Sequence, residues 1–123
     1  MYDRTMLLEL FLEIEEAIRR IERRFSEITS PDDFLRDDNG LDRLDGIAMM
    51  LVAIGENISK LEKMISKKAF DQYINIEWAN ITGLRNILAH DYFSIDAFEV
   101  YQICSSEIVI LKEAMQKIRN DVF

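Results

Sequence analysis

The feature that most constrains this chain is the spacing of its apolar residues, which alternates between three and four over long stretches. An α-helix makes one turn in about 3.6 residues, so this alternation keeps the apolar side chains on one face. One stripe predicts a first helix over about residues 3–28, and a second stripe predicts another long helix, with Lys67 and Lys68 at its C-terminal end. The two stripes are Leu7, Phe11, Ile14, Ile18, Ile21, Phe25 and Ile28, and Leu44, Ile47, Leu51, Ile54, Ile58, Leu61 and Ile65.

Two more helices are predicted in the second half of the chain. A shorter third helix has Asn75 as its N-cap and ends near His90. Its buried face is Trp78, Ile81, Leu84 and Leu88. Ser94 is the predicted N-cap of the last helix. That helix carries the stripe Val100, Cys104, Ile108, Leu111, Met115, Ile118 and Val122.

The segment between the first two long helices is predicted to form a short helical turn around Phe34. Ser30 suits its N-cap and Pro31 its first position. Residues 37–40 indicate a loop or the start of a helix, and Gly55 indicates close approach of another helix. One proline and four glycines are too few for a β-sandwich or barrel. We therefore predict an all-α fold, a four-long-helix, up-down bundle with a short extra helical turn, as a single domain over residues 1–123.

Composition excludes several classes of protein. Cys104 is the single cysteine, which rules out an internal disulfide and suits a reducing, cytoplasmic location. No run approaches the ~18 apolar residues of a membrane span, so no membrane association is expected. The net charge of −8 argues against general nucleic-acid binding. It leaves room for a local basic pocket, because an enzyme that contacts RNA briefly needs only a few well-placed cations.

The segment from Leu84 to Tyr92 carries the residues with the most chemistry, including the only histidine. A neutral His90 could take the proton of a ribose 2′-hydroxyl, which would then attack the adjacent phosphate. Arg85 could stabilise the charge that grows on the phosphoryl oxygens. The leaving oxygen needs a proton from Tyr92, a carboxylic acid, water, or a second His90 in a symmetric dimer, and the dimer is the preferred source.

The geometry of one helix limits this chemistry. Arg85 and His90 are about 140° apart on an ideal helix, so they converge only if the helix ends or loosens near Ala89, or if a second subunit contributes. A lone histidine near a helix end is often a simple cap. Glu56 could hold Arg85 through a charge-assisted hydrogen bond or could be a solvated glutamate. Four aspartates could recruit a cation, but they lack the alternating spacing of a calcium loop, so solvated helix caps are the preferred interpretation. These are Asp32, Asp33, Asp37 and Asp38. We predict neither a metal nor a cofactor.

The motif Arg85-(four residues)-His90-Asp91-Tyr92 resembles the R-x4-H-x-Y signature of the HepT-like branch of HEPN domains. Further similarities extend from about residue 7 to residue 118 and include Asp33-Phe34-Leu35, Gly55-Glu56, Glu77-Trp78 and Ser94-Ile95-Asp96. The resemblance implies an all-α, dimeric bundle that acts as the ribonuclease toxin of a prokaryotic toxin–antitoxin pair. The antitoxin it implies is a small MNT-type nucleotidyltransferase.

The same resemblance implies roles for single residues. Arg85 and His90 would be catalytic and Asn86 supportive, and the antitoxin would transfer AMP from ATP to Tyr92. An AMP group two positions from His90 would repel an RNA phosphate and switch the enzyme off. Asp91 departs from the small residue that is frequent in relatives. It could orient the imidazole, donate a proton or repel the phosphate.

Three hypotheses follow from the sequence. The first is a metal-independent endoribonuclease toxin, neutralised by AMP modification of Tyr92. The second is a non-catalytic HEPN homodimer that binds a nucleotide or a nucleotidyltransferase partner, which the acidic charge and Asp91 favour. The third is a structural bundle in which the motif forms only a capping network. The first is the function that we expect.

Overall fold

The computed structural model of the chain describes residues 3–65 and 92–123, and within them it contains three long helices. They are α1 (Arg4–Phe25), α2 (Asp38–Met64) and a C-terminal helix made of α3 (Ala97–Gln102), a π-helical segment (Ile103–Glu107) and α4 (Ile108–Val122). Two 3₁₀ turns cover Pro31–Phe34 and Tyr92–Ser94. The described residues hold no strand, which confirms the all-α prediction. The predicted third helix, with Asn75 and Trp78, lies outside them.

The apolar stripes form one shared hydrophobic core, as their spacing predicts. Every predicted residue of the α2 stripe is buried, and in α1 only Phe25 is partly exposed. The C-terminal helix buries all its predicted residues except Val122, which packs against the core. Because all three helices supply this core, each depends on the other two for its burial.

Polar contacts between the helices establish their directions. Asn57 in α2 reaches the carbonyl of Leu10, whereas Arg43, earlier in α2, reaches the carbonyl of Arg24. Residues late in α2 therefore lie beside residues early in α1, so the two helices are antiparallel. Ion pairs join Arg119 to Glu15 and Lys112 to Glu22. The C-terminal helix is therefore also antiparallel to α1, in agreement with an up-down arrangement.

The first helix is capped at its start and ends earlier than predicted. The carboxylate of Asp3 accepts hydrogen bonds from the backbone N–H groups of Thr5 and Met6. The helix ends at Phe25 and not near Ile28, because the backbone N–H of Ile28 donates to the carbonyl of Phe25 in a turn. Ile28 is still buried, so the prediction of its burial is confirmed although the predicted boundary is wrong.

The turn between α1 and α2 is held by Asp33. Ser30 occupies the N-cap position and Pro31 begins the turn, as predicted, but the Ser30 side chain makes no capping hydrogen bond. The Asp33 carboxylate instead accepts from the backbone N–H and the hydroxyl of Thr29, both at 2.8 Å. Of the two interpretations of residues 37–40, the start of a helix is observed: Asp37 caps α2 through the N–H of Gly40 at 2.8 Å.

The C-terminal helix corrects one predicted cap. Asp96, not Ser94, is its N-cap, and the Asp96 carboxylate accepts from the N–H groups of Phe98 and Glu99. Ser94 lies in the preceding 3₁₀ turn. Serine and aspartate both suit an N-cap, so both positions were candidates. Asp96 is the cap because its carboxylate accepts hydrogen bonds from two backbone N–H groups and suits the positive end of the helix.

The described residues contain no helix that is both long and apolar enough to cross a membrane. The long helices alternate buried apolar residues with charged ones, as amphipathic helices of a packed bundle do.

Candidate functional site

Most of the predicted site lies outside the described residues. Arg85, Asn86, His90 and Asp91 belong to residues 66–91, so their convergence stays a prediction. Tyr92 begins the 3₁₀ turn that follows them. Glu56 is exposed on α2, which agrees with a solvated glutamate. Its predicted contact with Arg85 also stays a prediction.

The structure places the end of the motif beside the first half of α2. After Tyr92, the side chains of Phe93 and Ser94 are exposed, whereas Ile95 packs against the core. Phe93 and Ile95 line a cleft of about 310 Å³ with three residues of α2. Those three are Asp45, Ala48 and Met49. A molecule that reaches the end of the motif therefore meets an accessible, partly apolar surface.

A buried amide in α2 was not predicted from the sequence. Asn57 is 9% exposed, and its Nδ2 donates to the carbonyl of Leu10 at 3.4 Å and to the Glu13 carboxylate at 3.2 Å. A signal was present, since Asn57 lies three residues after Ile54 and four before Leu61, on the apolar face. Through these two hydrogen bonds the Asn57 amide links α2 to α1.

Three arginines surround a cavity of about 440 Å³ between the end of α1 and the start of α2. They are Arg23, Arg24 and Arg43, and Ser26, Glu27, Asn39 and Asp42 complete the wall. Arg43 is held by the carbonyl of Arg24 at 2.9 Å and by Glu27 at 3.0 Å. We call this space the arginine cavity. The net charge of −8 did not exclude a local basic pocket, but the sequence did not indicate where one would lie.

Arg24 is the unusual member of the arginine cavity. Its Nη1 is buried and has no hydrogen-bond partner in the described part of the chain. Burial is the main cause that lowers the pKa of Arg24, and the nearby charges of Arg23 and Arg20 lower it further. Each of these causes disfavours a positive charge, so the surroundings do not compensate this guanidinium.

The neighbouring arginines of α1 are compensated. Arg19 and Arg20 both donate to the carboxylate of Glu16, with distances of 2.6–2.9 Å. These hydrogen bonds lower the pKa of Glu16 to about 2. Arg19 and Arg20 therefore have an internal partner that stays charged at neutral pH, whereas no carboxylate of residues 3–65 and 92–123 pairs with Arg24.

Cys104 is a core residue, as predicted. It is buried in the π-helical segment, and burial raises the pKa of its thiol to about 12. A thiol with so high a pKa is almost entirely protonated at neutral pH and is a poor nucleophile or metal ligand. Cys104 therefore offers no alternative catalytic centre.

Comparisons with known proteins agree with the motif. Residues 14–118 match the family model described as "Ribonuclease HepT-like". The protein named "Putative RNase MJ1216" of Methanocaldococcus jannaschii is 32% identical over 76 residues, which are 62% of this chain and 60% of that protein. "Putative RNase MJ0125" of the same organism is 33% identical over 72 residues, 58% of this chain and 59% of that protein. The chain thus spans about 60% of the length of the curated relatives it matches. No solved structure is significantly similar to it.

Proposed function

Because this chain belongs to the HepT-like ribonuclease family, we propose that it is a metal-independent endoribonuclease, the toxin of a prokaryotic toxin–antitoxin pair. The observation that carries the proposal is the family match over residues 14–118, which encloses Arg85, His90 and Tyr92 in the R-x4-H-x-Y spacing. The relatives named as RNases support the same chemistry. We propose that the protein is cytoplasmic and that it acts on RNA as a homodimer.

The proposed reaction needs one base, one acid and one cation. The neutral imidazole of His90 takes the proton of a ribose 2′-hydroxyl, and the freed oxygen attacks the adjacent phosphorus. The bond from phosphorus to the 5′-oxygen breaks, which leaves a cyclic phosphate on one fragment. The 5′-oxygen takes a proton and becomes the hydroxyl of the other fragment. Arg85 stabilises the charge on the phosphoryl oxygens, and Asn86 supports it.

The second proton donor is the reason to propose a homodimer. The chain has one histidine, so a symmetric dimer would bring two copies of His90 to one groove, one as base and one as acid. Asp91 is the alternative donor or the group that orients the imidazole. The carboxylate of Asp91 could also repel the phosphate of the substrate, which would slow the reaction.

We propose that an MNT-type nucleotidyltransferase neutralises the enzyme by transferring AMP to Tyr92. The accessible positions after Tyr92 support this, since Phe93 and Ser94 are exposed and would let a partner approach. The added phosphate would place negative charge next to the phosphate of the substrate. Like charges in a partly buried site repel strongly, so the modification would block RNA without unfolding the helices.

The test is cleavage of RNA in EDTA by protein expressed without a nucleotidyltransferase, with intact mass used to verify that Tyr92 is unmodified. We expect cleavage by the wild type and none by His90→Ala. Co-expression with an MNT-type nucleotidyltransferase from the same organism should add one adenylyl group to the wild type and none to Tyr92→Phe. Intact RNA after incubation with unmodified wild type at micromolar concentration would refute the ribonuclease proposal.

A non-catalytic homodimer that binds a nucleotide or a nucleotidyltransferase is the second candidate. The net charge of −8 and the carboxylate of Asp91 favour it, because both repel an RNA strand. Titration calorimetry with ATP, AMP and the nucleotidyltransferase distinguishes the two. Binding that His90→Ala abolishes, in a wild type that leaves RNA intact, would favour this candidate.

A further inference from the structure

We propose that the arginine cavity is a phosphate-binding site, distinct in sequence from the R-x4-H-x-Y motif, and that it holds a backbone phosphate of the RNA substrate. The residues that would bind the phosphate are Arg23, Arg24 and Arg43. The identification of the phosphate as part of RNA rests on the proposed function. The existence of an anion site rests on the geometry alone.

The uncompensated charge of Arg24 is the first argument. Its Nη1 is buried without a hydrogen-bond partner, and no carboxylate lies within ion-pair distance of Arg23 or Arg24 in residues 3–65 and 92–123. A half-buried guanidinium without a counterion destabilises a protein. A bound phosphate would supply the missing negative charge and accept two parallel hydrogen bonds from an arginine.

The space that Arg24 occupies is provided by a glycine. A Cβ at Gly46 would lie only 2.6 Å from the Cδ of Arg24 and would also meet its guanidinium group. Gly46 lies inside α2, where glycine is a poorer helix former than alanine. This helical glycine allows the Arg24 side chain to lie against α2 at the wall of the arginine cavity.

Arg43 gives the site a second, positioned cation. Its Nη1 donates to the carbonyl of Arg24 and its Nη2 to Glu27, and only 22% of its side chain is exposed. An arginine held by two partners loses little entropy when a ligand binds. The wall of the cavity contains three arginines and two carboxylates, those of Glu27 and Asp42. The cavity is thus locally positive in a chain whose net charge is −8.

The cavity lies next to the end of the motif along α2. Asp42 and Arg43 line the arginine cavity, whereas Asp45 and Met49 line the cleft beside Phe93. Residues 42, 45 and 49 share one helical face, and three residues span only about 4.5 Å along a helix axis. A strand with one phosphate in the arginine cavity could therefore continue along α2 to the exposed segment after Tyr92.

The first test uses inorganic phosphate as the probe and thermal unfolding as the readout. At equal ionic strength, phosphate should raise the Tm of the wild type more than chloride does, because it binds the folded state. Phosphate also stabilises folded proteins without binding a site, so Arg24→Met should keep a smaller difference than the wild type. In chloride, Arg24→Met should unfold at the same or a higher temperature. Arg19→Gln is the matched control, since it removes one charge from the same helix outside the cavity, and it should keep the phosphate effect.

The second test uses a labelled single-stranded RNA and the His90→Ala background, which prevents cleavage by the proposed base. Adding Arg24→Met should weaken RNA binding about tenfold, the factor expected for one charge-assisted hydrogen bond. It should also reduce the slope of log affinity against log salt by about 0.7. Arg19→Gln should change affinity less than about twofold, as expected for an exposed charge that is already paired. If Arg24→Met does not fold, Arg23→Gln replaces it, because Arg23 is exposed.

The outcomes separate this proposal from the proposed function. Equal effects of Arg24→Met and Arg19→Gln on the stabilisation by phosphate would overturn the site. A phosphate effect that needs Arg24, with RNA affinity that does not, would overturn the assignment to RNA and leave a site for free phosphate. RNA binding that needs Arg24, in a wild type that never cleaves RNA, would support the site while the ribonuclease proposal fails.

Discussion

The side chain of Arg24 in α1 lies against the backbone of Gly46 in α2, so closely that a Cβ at position 46 would meet its Nε. Thus α2 has no side chain at the position where α1 places the guanidinium group of Arg24. A second glycine of α2 is confined for a different reason: a Cβ at Gly40 would overlap the carbonyl oxygen of Asp33. The two glycines face a flexible side chain and a rigid backbone, respectively.

This contrast predicts opposite results for two alanine substitutions. Gly46→Ala should keep the free energy of unfolding or raise it by up to about 1 kcal/mol, because Arg24 can swing into the open cavity while the helix gains a better residue. Gly40→Ala should lower it by about 1–3 kcal/mol, because the backbone of the 3₁₀ turn must move. Urea unfolding measures both. A Gly46→Ala protein that loses as much stability as Gly40→Ala would contradict this contrast between a flexible side chain and a rigid backbone.

Two substitutions of Asn57 should show how the free energy of unfolding responds to a lost hydrogen bond and to a buried charge. Asn57→Leu removes an amide whose partners are a carbonyl in a helix and the exposed Glu13, so it should change the free energy of unfolding by less than about 1 kcal/mol. Asn57→Asp places a carboxylate beside the same carbonyl and carboxylate, and should cost more than about 2 kcal/mol at pH 7. Asn39→Asp, on the exposed first turn of α2, is the control and should not destabilise. Similar losses for Asn57→Leu and Asn57→Asp would argue against a charge effect.

Stability should depend on pH through Asp33. Hydrogen bonds from the backbone and side chain of Thr29 lower the pKa of Asp33 below its ordinary 3.8, and Arg36 lowers it further. A depressed pKa means that the charged form is favoured by folding. The contribution is therefore complete above about pH 4 and is lost as the pH falls through the lower pKa of the folded state.

Two asparagine variants test that pH dependence. Asp33→Asn should lower the Tm at pH 7, and its difference from the wild type should shrink between about pH 4 and pH 2. Asp32→Asn, an exposed neighbour in the same turn, should show a smaller loss at pH 7. A difference between wild type and Asp33→Asn that stays constant from pH 7 to pH 2 would show that the hydrogen bonds, and not the charge, carry the effect.

Cys104 should report on the opening of the fold. Its burial and raised pKa predict that a thiol reagent at pH 8 does not label the native protein, whereas the protein in denaturant reacts fully. The labelling rate in dilute denaturant should then follow unfolding, because the reagent needs access and a thiolate. Intact mass after timed quenching measures it. Rapid labelling of native protein would show that the C-terminal helix opens locally.

The helices could be predicted from the local spacing of apolar residues, whereas the contacts between helices could not. The stripes of α1 and α2 are strict alternations, and their burial followed directly. The C-terminal stripe is less regular, because Val100, Cys104 and Ile108 are four residues apart and two steps of four overshoot two turns by about 80°. The wider π-helical segment takes up this excess and keeps both halves of the stripe on the core. That spacing was a readable signal for a π turn.

The motif could be recognised from sequence because its residues lie within one short segment. The arginine cavity could not be located, because Arg24, Arg43 and Gly46 come from two helices, and their approach depends on how the helices cross. Local spacing predicts which side chains share a helical face, but not which neighbouring helix that face contacts. Asn57 lies between these cases, since its place on the apolar stripe was visible and its partner Leu10 was not.

The pairing of α1 with both other helices has a consequence for synthesis of the chain. The hairpin of α1 and α2 can form early, but Glu15 meets its partner Arg119 only after 104 further residues have been made. Until then, the C-terminal helix cannot cover the apolar side of α1 that faces it. Contacts so distant along the chain slow folding and leave aggregation-prone surface in its intermediates. On a ribosome, the nascent protein would carry this side of α1 without the C-terminal helix, open to chaperones, until α4 emerges.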